Sequence, residues 1–246
     1  MKAFWWFKKN SIAGMGRPGF NAVHWFDLPF DEAVLLGWLG QHSSGTHSLA
    51  SFRKHLQTYA PRIFKFYGLD DAAGAKVLEV FNENQGVLKV FEKLAHNTKN
   101  FRHFEIFENE LKFSLSESRL QEEIRFLKSQ SIDNIISLTE HHHQKDILQN
   151  DFKIHHFSIE DLGAPKLEQV SQLAEVIQKA LGKNETMAVH CLAGIGRTST
   201  MLMASHIMLG ENPQELEQLL KKQNPTFSLV GSQGEFLRSL SNKKSL

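Results

Sequence analysis

The chain of 246 residues suits one large domain, or a catalytic domain with an accessory one, and its 41% apolar content, with Phe alone contributing 19 residues, can bury a sizeable core. A net charge of +1 lacks the clustered basic excess of an electrostatic nucleic-acid binder, so no nucleic-acid partner is expected. No run approaches the roughly 18 apolar residues of a membrane span, and the single cysteine, Cys191, excludes an internal disulfide and a disulfide-stapled secreted fold.

In chain order, Phe4 to Ala13 reads as a hairpin turning at Lys8-Lys9-Asn10. Residues 20–100 read as several short helices: Val34, Leu35, Trp38 and Leu39 share one face, and Leu49, Phe52 and Leu56 another. Val77-Leu78-Glu79-Val80-Phe81 is echoed by Val87-Leu88-Lys89-Val90-Phe91, two amphipathic helices of like composition. Gly45, Gly68 and Gly74 read as loop positions. Residues 104–115 alternate in polarity and turn at Glu108-Asn109-Glu110, a second hairpin. Leu120, Ile124 and Leu127 mark a helix, Asn134 to Leu138 a strand, and Phe152 to Phe157 another strand. The face Leu167, Val170, Leu173, Ala174, Ile177 and Leu181 is helical and stops at Gly182. Met187-Ala188-Val189 is a buried strand entering His190, followed by a helix from about Arg197 to Met208. Asn212-Pro213 caps and opens a further helix, and the last helix carries Phe236, Leu237 and Leu240. This alternation predicts an α/β fold: a central, mostly parallel sheet of four or five strands flanked by helices, with a helical insertion.

The segment His190-Cys191-Leu192-Ala193-Gly194-Ile195-Gly196-Arg197-Thr198 joins an apolar strand to an amphipathic helix. The backbone must turn sharply there, and Gly194 and Gly196 supply torsions that a side chain would forbid. Several consecutive N–H groups are then gathered at a helix N-terminus, where the positive end of the helix dipole suits a tetrahedral oxyanion. Arg197 can grip two oxygens of that anion with its planar fork. The same field favours ionisation of Cys191, so a thiolate would face a bound phosphate.

His-Cys-x-x-Gly-x-Gly-Arg-Thr in this strand–loop–helix setting resembles the signature of the protein-tyrosine-phosphatase superfamily. Asn10 to Gly19 resembles the start of its compact atypical dual-specificity members, and Gln130 to Glu140 resembles their strand entering the central sheet. The resemblance covers about 10–19 and 119–240. It implies Cys191 as nucleophile, with Arg197 and the backbone of Leu192, Ala193, Gly194, Ile195 and Gly196 binding the phosphate. It also implies that Thr198 donates its hydroxyl to the sulfur, that His190 orients the loop, and that Gln233 positions the hydrolytic water. Asp161, 30 residues before Cys191 in Ser158 to Pro165, resembles the family's general acid. Glu160 is the competing carboxylate, and an N-cap of the helix after Lys166 is the bland role for Asp161. Ser199 stands where the family often has Gly, and the Trp-Pro-Asp and Asn-Arg-Tyr loops of the large tyrosine-specific domains are absent.

The expected organisation is a phosphatase domain made of 1–19 and 101–246, interrupted by a helical insertion at 20–100. An alternative starts the catalytic domain at about 101. The expected reaction is hydrolysis of phosphomonoesters through a phosphocysteine, with phosphotyrosine on proteins, and phosphoserine or phosphothreonine beside it, as first substrates. Inositol phosphates or phosphoinositides are the alternative, and a non-catalytic phosphopeptide-binding module is the rival from another class. No cofactor is expected, the location is cytoplasmic (in its own cell or in one into which it is delivered), and 20–100 is a candidate surface for a protein partner. The run His141-His142-His143, with His155 and His156, has no second spaced cluster and makes a poor tetrahedral metal site, so it reads as a solvated loop without metal.

Overall fold

The computed structural model describes residues 3–20, 28–42, 44–98, 101–225, 227 and 231–244. The chain forms two compact units: one of Met1–Pro18 with Glu122–Leu246, the other of Gly19–Gln121.

The first unit is built on a five-stranded sheet of β1 (Trp5–Lys8), β2 (Ile12–Met15), β6 (Ile132–Ser137), β7 (Lys153–His156) and β8 (Thr186–His190). Their spatial order is β1-β2-β8-β6-β7. β2, β8, β6 and β7 run parallel, and β1 closes the edge as the antiparallel arm of the first hairpin. All five residues of β8 are buried, as the middle strand of a parallel sheet covered on both faces requires. The core joins Phe7, Ile12, Ile136, Val189 and Cys191 to one face each of the helices α7 (Leu167–Leu181), α9 (Pro213–Gln223) and α10 (Gly231–Lys244), and to α8 (Gly196–Met208), which is buried on all sides from Arg197 to Ile207. On α7 the buried residues are Val170, Leu173, Ala174, Ile177 and Ala180, the stripe that a period of 3.6 dictates. Asn212 accepts from the amides of Gln214 and Glu215, with Pro213 at the first helical position, so α9 starts where its cap demands. The fold is therefore the mixed α/β class read from the sequence, with a mostly parallel central sheet.

The second unit holds α1 (Phe30–Leu39), β3 (Gly45–Ser48), α2 (Leu49–Tyr67), α3 (Asp71–Val80), α4 (Asn84–Thr98), β4 (Phe101–Phe107) and β5 (Glu110–Leu115). The hairpin β4–β5 was expected in the catalytic part. It pairs instead with β3, in a separate antiparallel sheet ordered β3-β5-β4. The boundary thus moves from 100 to 121, inside α5 (Glu117–Ser129), and the insertion is mixed rather than helical. β3 escapes a sequence reading because Gly-Thr-His-Ser has neither apolar alternation nor length. Gly74 is likewise no loop residue. It lies within α3, where an added Cβ would stand 2.4 Å from the Phe64 ring, so its role is close helix packing. Among the described residues no helix is long and apolar enough to cross a membrane.

Candidate active site

Cys191 follows the last residue of β8 at the carboxyl end of the central strand, the place where parallel sheets present ligand sites. It is 3% exposed. The loop after it turns at Gly194, whose φ is +76°. An added Cβ there would lie 2.5 Å from the Met15 carbonyl carbon, so conformation and space both demand glycine. Gly196 opens α8, and its hypothetical Cβ would lie 2.6 Å from Gln233 Oε1. None of the backbone amides of 192–197 donates a hydrogen bond to another group among the described residues. Six consecutive donors at the start of a helix of 13 residues are therefore left for an anion.

The loop is held from outside. The Leu192 carbonyl accepts from the Arg17 amide at 2.9 Å, and the Gly194 carbonyl accepts from Trp5 Nε1 at 3.2 Å. Asn224 Nδ2 lies 3.0 Å from Ser199 Oγ, which gives the serine in place of glycine a partner. His190 is buried, its Nδ1 3.2 Å from the Cys191 carbonyl. Burial, with only that backbone contact opposing it, pushes the His190 imidazole down to about 3 and keeps it neutral. Burial likewise pushes Arg17 down to about 9.

Arg197 is 3% exposed and engaged on both terminal nitrogens. Nη1 donates to the Ile159 carbonyl at 2.9 Å and lies 3.5 Å from Glu140 Oε2, while Nη2 is 2.9 Å from Asp161 Oδ1. Burial opposes the guanidinium charge, but Asp161, Cys191 and Glu140 outweigh it and hold the group above its ordinary value. Asp161 therefore lies against Arg197, and it does not cap α7, whose N-cap position is Lys166. The second carboxylate at the arginine is Glu140. The neighbouring Leu162 has φ +59°, a left-handed residue beside the acid. Gln233 Nε2 donates to the Gly163 carbonyl at 2.9 Å, which ties α10 to the acid loop.

Thr198 follows Arg197 in the first turn of α8. Its buried hydroxyl has no hydrogen-bond partner among the described residues, so donation to the sulfur is not made here. The histidine run is not a uniformly solvated loop. His141 is exposed, His142 is half-buried and His143 is buried. Among the described residues no group of three or more His, Cys, Asp or Glu is placed to hold a metal ion.

Glu140, Trp5 and Arg17 were not singled out from the sequence. Glu140 lies three residues past β6, in the same position relative to its strand end that a loop carboxylate must take to face the neighbouring Cys191 loop. That placement needs the strand order, which the sequence does not carry.

Residues 113–211 match the family model described as Tc-R-P: Polymorphic toxin system, DSP-PTPase phosphatase. Among solved structures, the chain is similar to Tk-PTP in its active form, with 22% identity, a TM-score of 0.45, and 52% of this chain and 87% of that one covered. For PTPMT1 in complex with PI(5)P the figures are 20%, 0.43, 49% and 83%. For human DUSP28 they are 10%, 0.44, 49% and 85%.

Proposed function

We propose that this chain, whose residues 113–211 match a DSP-PTPase phosphatase model, belongs to the dual-specificity branch of the protein-tyrosine-phosphatase superfamily and hydrolyses phosphomonoesters through a phosphocysteine at Cys191. In the first step the Cys191 sulfur forms a bond to phosphorus as the ester P–O bond breaks, and the departing oxygen takes a proton from Asp161. In the second step Asp161 takes a proton from water, the water oxygen bonds to phosphorus, and the S–P bond breaks to release phosphate and thiolate. Arg197 and the amides of 192–197 hold the non-bridging oxygens throughout and stabilise the charge that develops on them. Gln233, beside Gly196, is assigned to the hydrolytic water, and Thr198 to the returning sulfur. His190 supports the loop from the end of β8, and Arg17 from beyond the end of β2.

The observation that carries this reading is the run of six unsatisfied amides between a cysteine and a buried arginine that already binds carboxylates in place of a phosphate. Leu192, Ala193 and Ile195 bring no cation to the loop, which favours substrates presenting one phosphate, phosphotyrosine above others, over polyphosphorylated inositols. The polymorphic-toxin description of the matching model supports action in the cytoplasm of a cell to which the protein is delivered.

The test is a panel of phosphotyrosine, phosphoserine and phosphothreonine peptides and soluble inositol phosphates, with Cys191→Ser as control. Phosphotyrosine peptides should lead the panel, and Cys191→Ser should abolish release while wild type traps a labelled phosphoenzyme. Full turnover by Cys191→Ser would refute the mechanism. Preference for an inositol polyphosphate would refute the substrate assignment alone.

A further inference from the structure

The acid loop after β7 is pinned at four sites from three separate segments of the chain. The Ile159 carbonyl accepts from Arg197 Nη1 at 2.9 Å. The Asp161 amide donates to Glu140 Oε1 at 2.9 Å. The Leu162 carbonyl accepts from Ser232 Oγ at 3.0 Å, and the Gly163 carbonyl from Gln233 Nε2 at 2.9 Å. Leu162 needs such restraint, because a non-glycine residue at φ +59° costs free energy that surrounding contacts must offset. The backbone around the acid is thus fixed without a ligand, although the Asp161 side chain itself rests on Arg197.

From this we infer that Glu140, beyond β6, and Ser232, in the first turn of α10, are positioning residues: they hold the acid loop in its proton-donating place, so catalysis needs only a side-chain swing of Asp161 and no loop closure. The inference rests on the phosphatase reading above. Neither residue touches the transferred phosphoryl group in this scheme: Glu140 acts through the Asp161 amide and Ser232 through the Leu162 carbonyl next to it. Glu140 carries a second duty, because its other oxygen faces Arg197. Ser232 has no such duty and isolates the positioning effect.

A general acid matters only where the leaving oxygen is a strong base. The comparison is therefore between phenyl phosphate, whose oxygen needs the proton, and a fluorinated coumarin phosphate, whose oxygen leaves as the anion. With Ser232→Ala, kcat/KM for the coumarin ester should be unchanged, while the phenyl-to-coumarin ratio falls roughly fivefold, the worth of one hydrogen bond. With Glu140→Leu the ratio should fall about tenfold or more, as small misplacement of a catalytic group allows. Ser232→Thr and Glu140→Gln, which keep the donor and the acceptor, should restore the ratio. Retained coumarin turnover also reports that the Ser232→Ala protein is folded. An unchanged ratio in Ser232→Ala or Glu140→Leu, while Asp161→Asn collapses it, overturns the clamp and leaves the phosphatase reading intact. Absence of phosphate release from both esters by wild type overturns that reading, and the clamp with it.

Discussion

Arg197 has its fork occupied before any substrate arrives. Asp161 lies 2.9 Å from Nη2, and a phosphoryl oxygen seeking that nitrogen must displace the carboxylate. The acid is thus a competitor for the site it serves, and its charge also repels the incoming anion. Asp161→Asn should then have two opposite effects. Turnover of phenyl phosphate should fall about a hundred- to ten-thousandfold, the usual worth of a general acid. Inorganic phosphate should meanwhile bind roughly tenfold more tightly, the equivalent of about 1.4 kcal/mol of competition relieved. Competitive inhibition by phosphate, measured against the activated coumarin ester, checks the second effect. An inhibition constant equal to that of wild type would mean that the ion pair does not compete with phosphate.

At the scale of elements, the phosphate loop depends on the strand beside it. Gly194 packs onto the end of β2, with Met15 and Gly16 within 2.6 Å of where a Cβ would stand, and its carbonyl is turned toward Trp5 Nε1. Gly194→Ala would face backbone atoms, which cannot rotate away, as well as a left-handed torsion that costs about 1–2 kcal/mol for an L-residue. The loop must shift, and the six amides shift with it. A displacement of only about 1 Å costs catalysis on the order of a hundredfold. The variant should therefore lose at least that much kcat on the coumarin ester, where no proton is needed, while keeping a far-ultraviolet spectrum like that of wild type. Much of this was legible in the sequence. Cys191, Arg197 and the two glycines sit in one contiguous run, and the helix α7 declared itself by period and stop residue. Glu140 and Trp5 did not, because their roles arise from pairings between elements distant in the chain: β6 beside β8, and β1 paired to β2 over Gly14. Thr198 lies in the same legible run, and its buried hydroxyl has no hydrogen-bond partner among the described residues.

The whole molecule divides differently from its sequence pattern. The hairpin at 101–115 alternates as cleanly as a central strand pair, yet its partner is β3, and the catalytic unit resumes only within α5. Periodicity reports that a strand exists and is silent about which sheet receives it. The opposite happens at the amino terminus, where 18 residues, separated from the rest by more than a hundred, supply two of the five strands of the catalytic sheet. A catalytic domain starting at about 101 is therefore incomplete. It would strip the β2 edge from β8 and remove Phe7, Ile12 and Met15, each 1% exposed or less. Burying such side chains is worth about 1.5–3 kcal/mol apiece, against a net stability of about 5–15 kcal/mol for a typical protein. The fragment 101–246 should accordingly show no cooperative urea transition and no turnover. A chain in which 1–18 is joined to 122–246 by a flexible glycine–serine linker keeps every strand of the sheet and all the groups around Cys191. It should unfold in one cooperative transition and hydrolyse the coumarin ester. Cooperative folding and activity in the 101–246 fragment would show that β1 and β2 are dispensable, and the phosphate loop would then have to be held without Trp5, Met15 or Arg17.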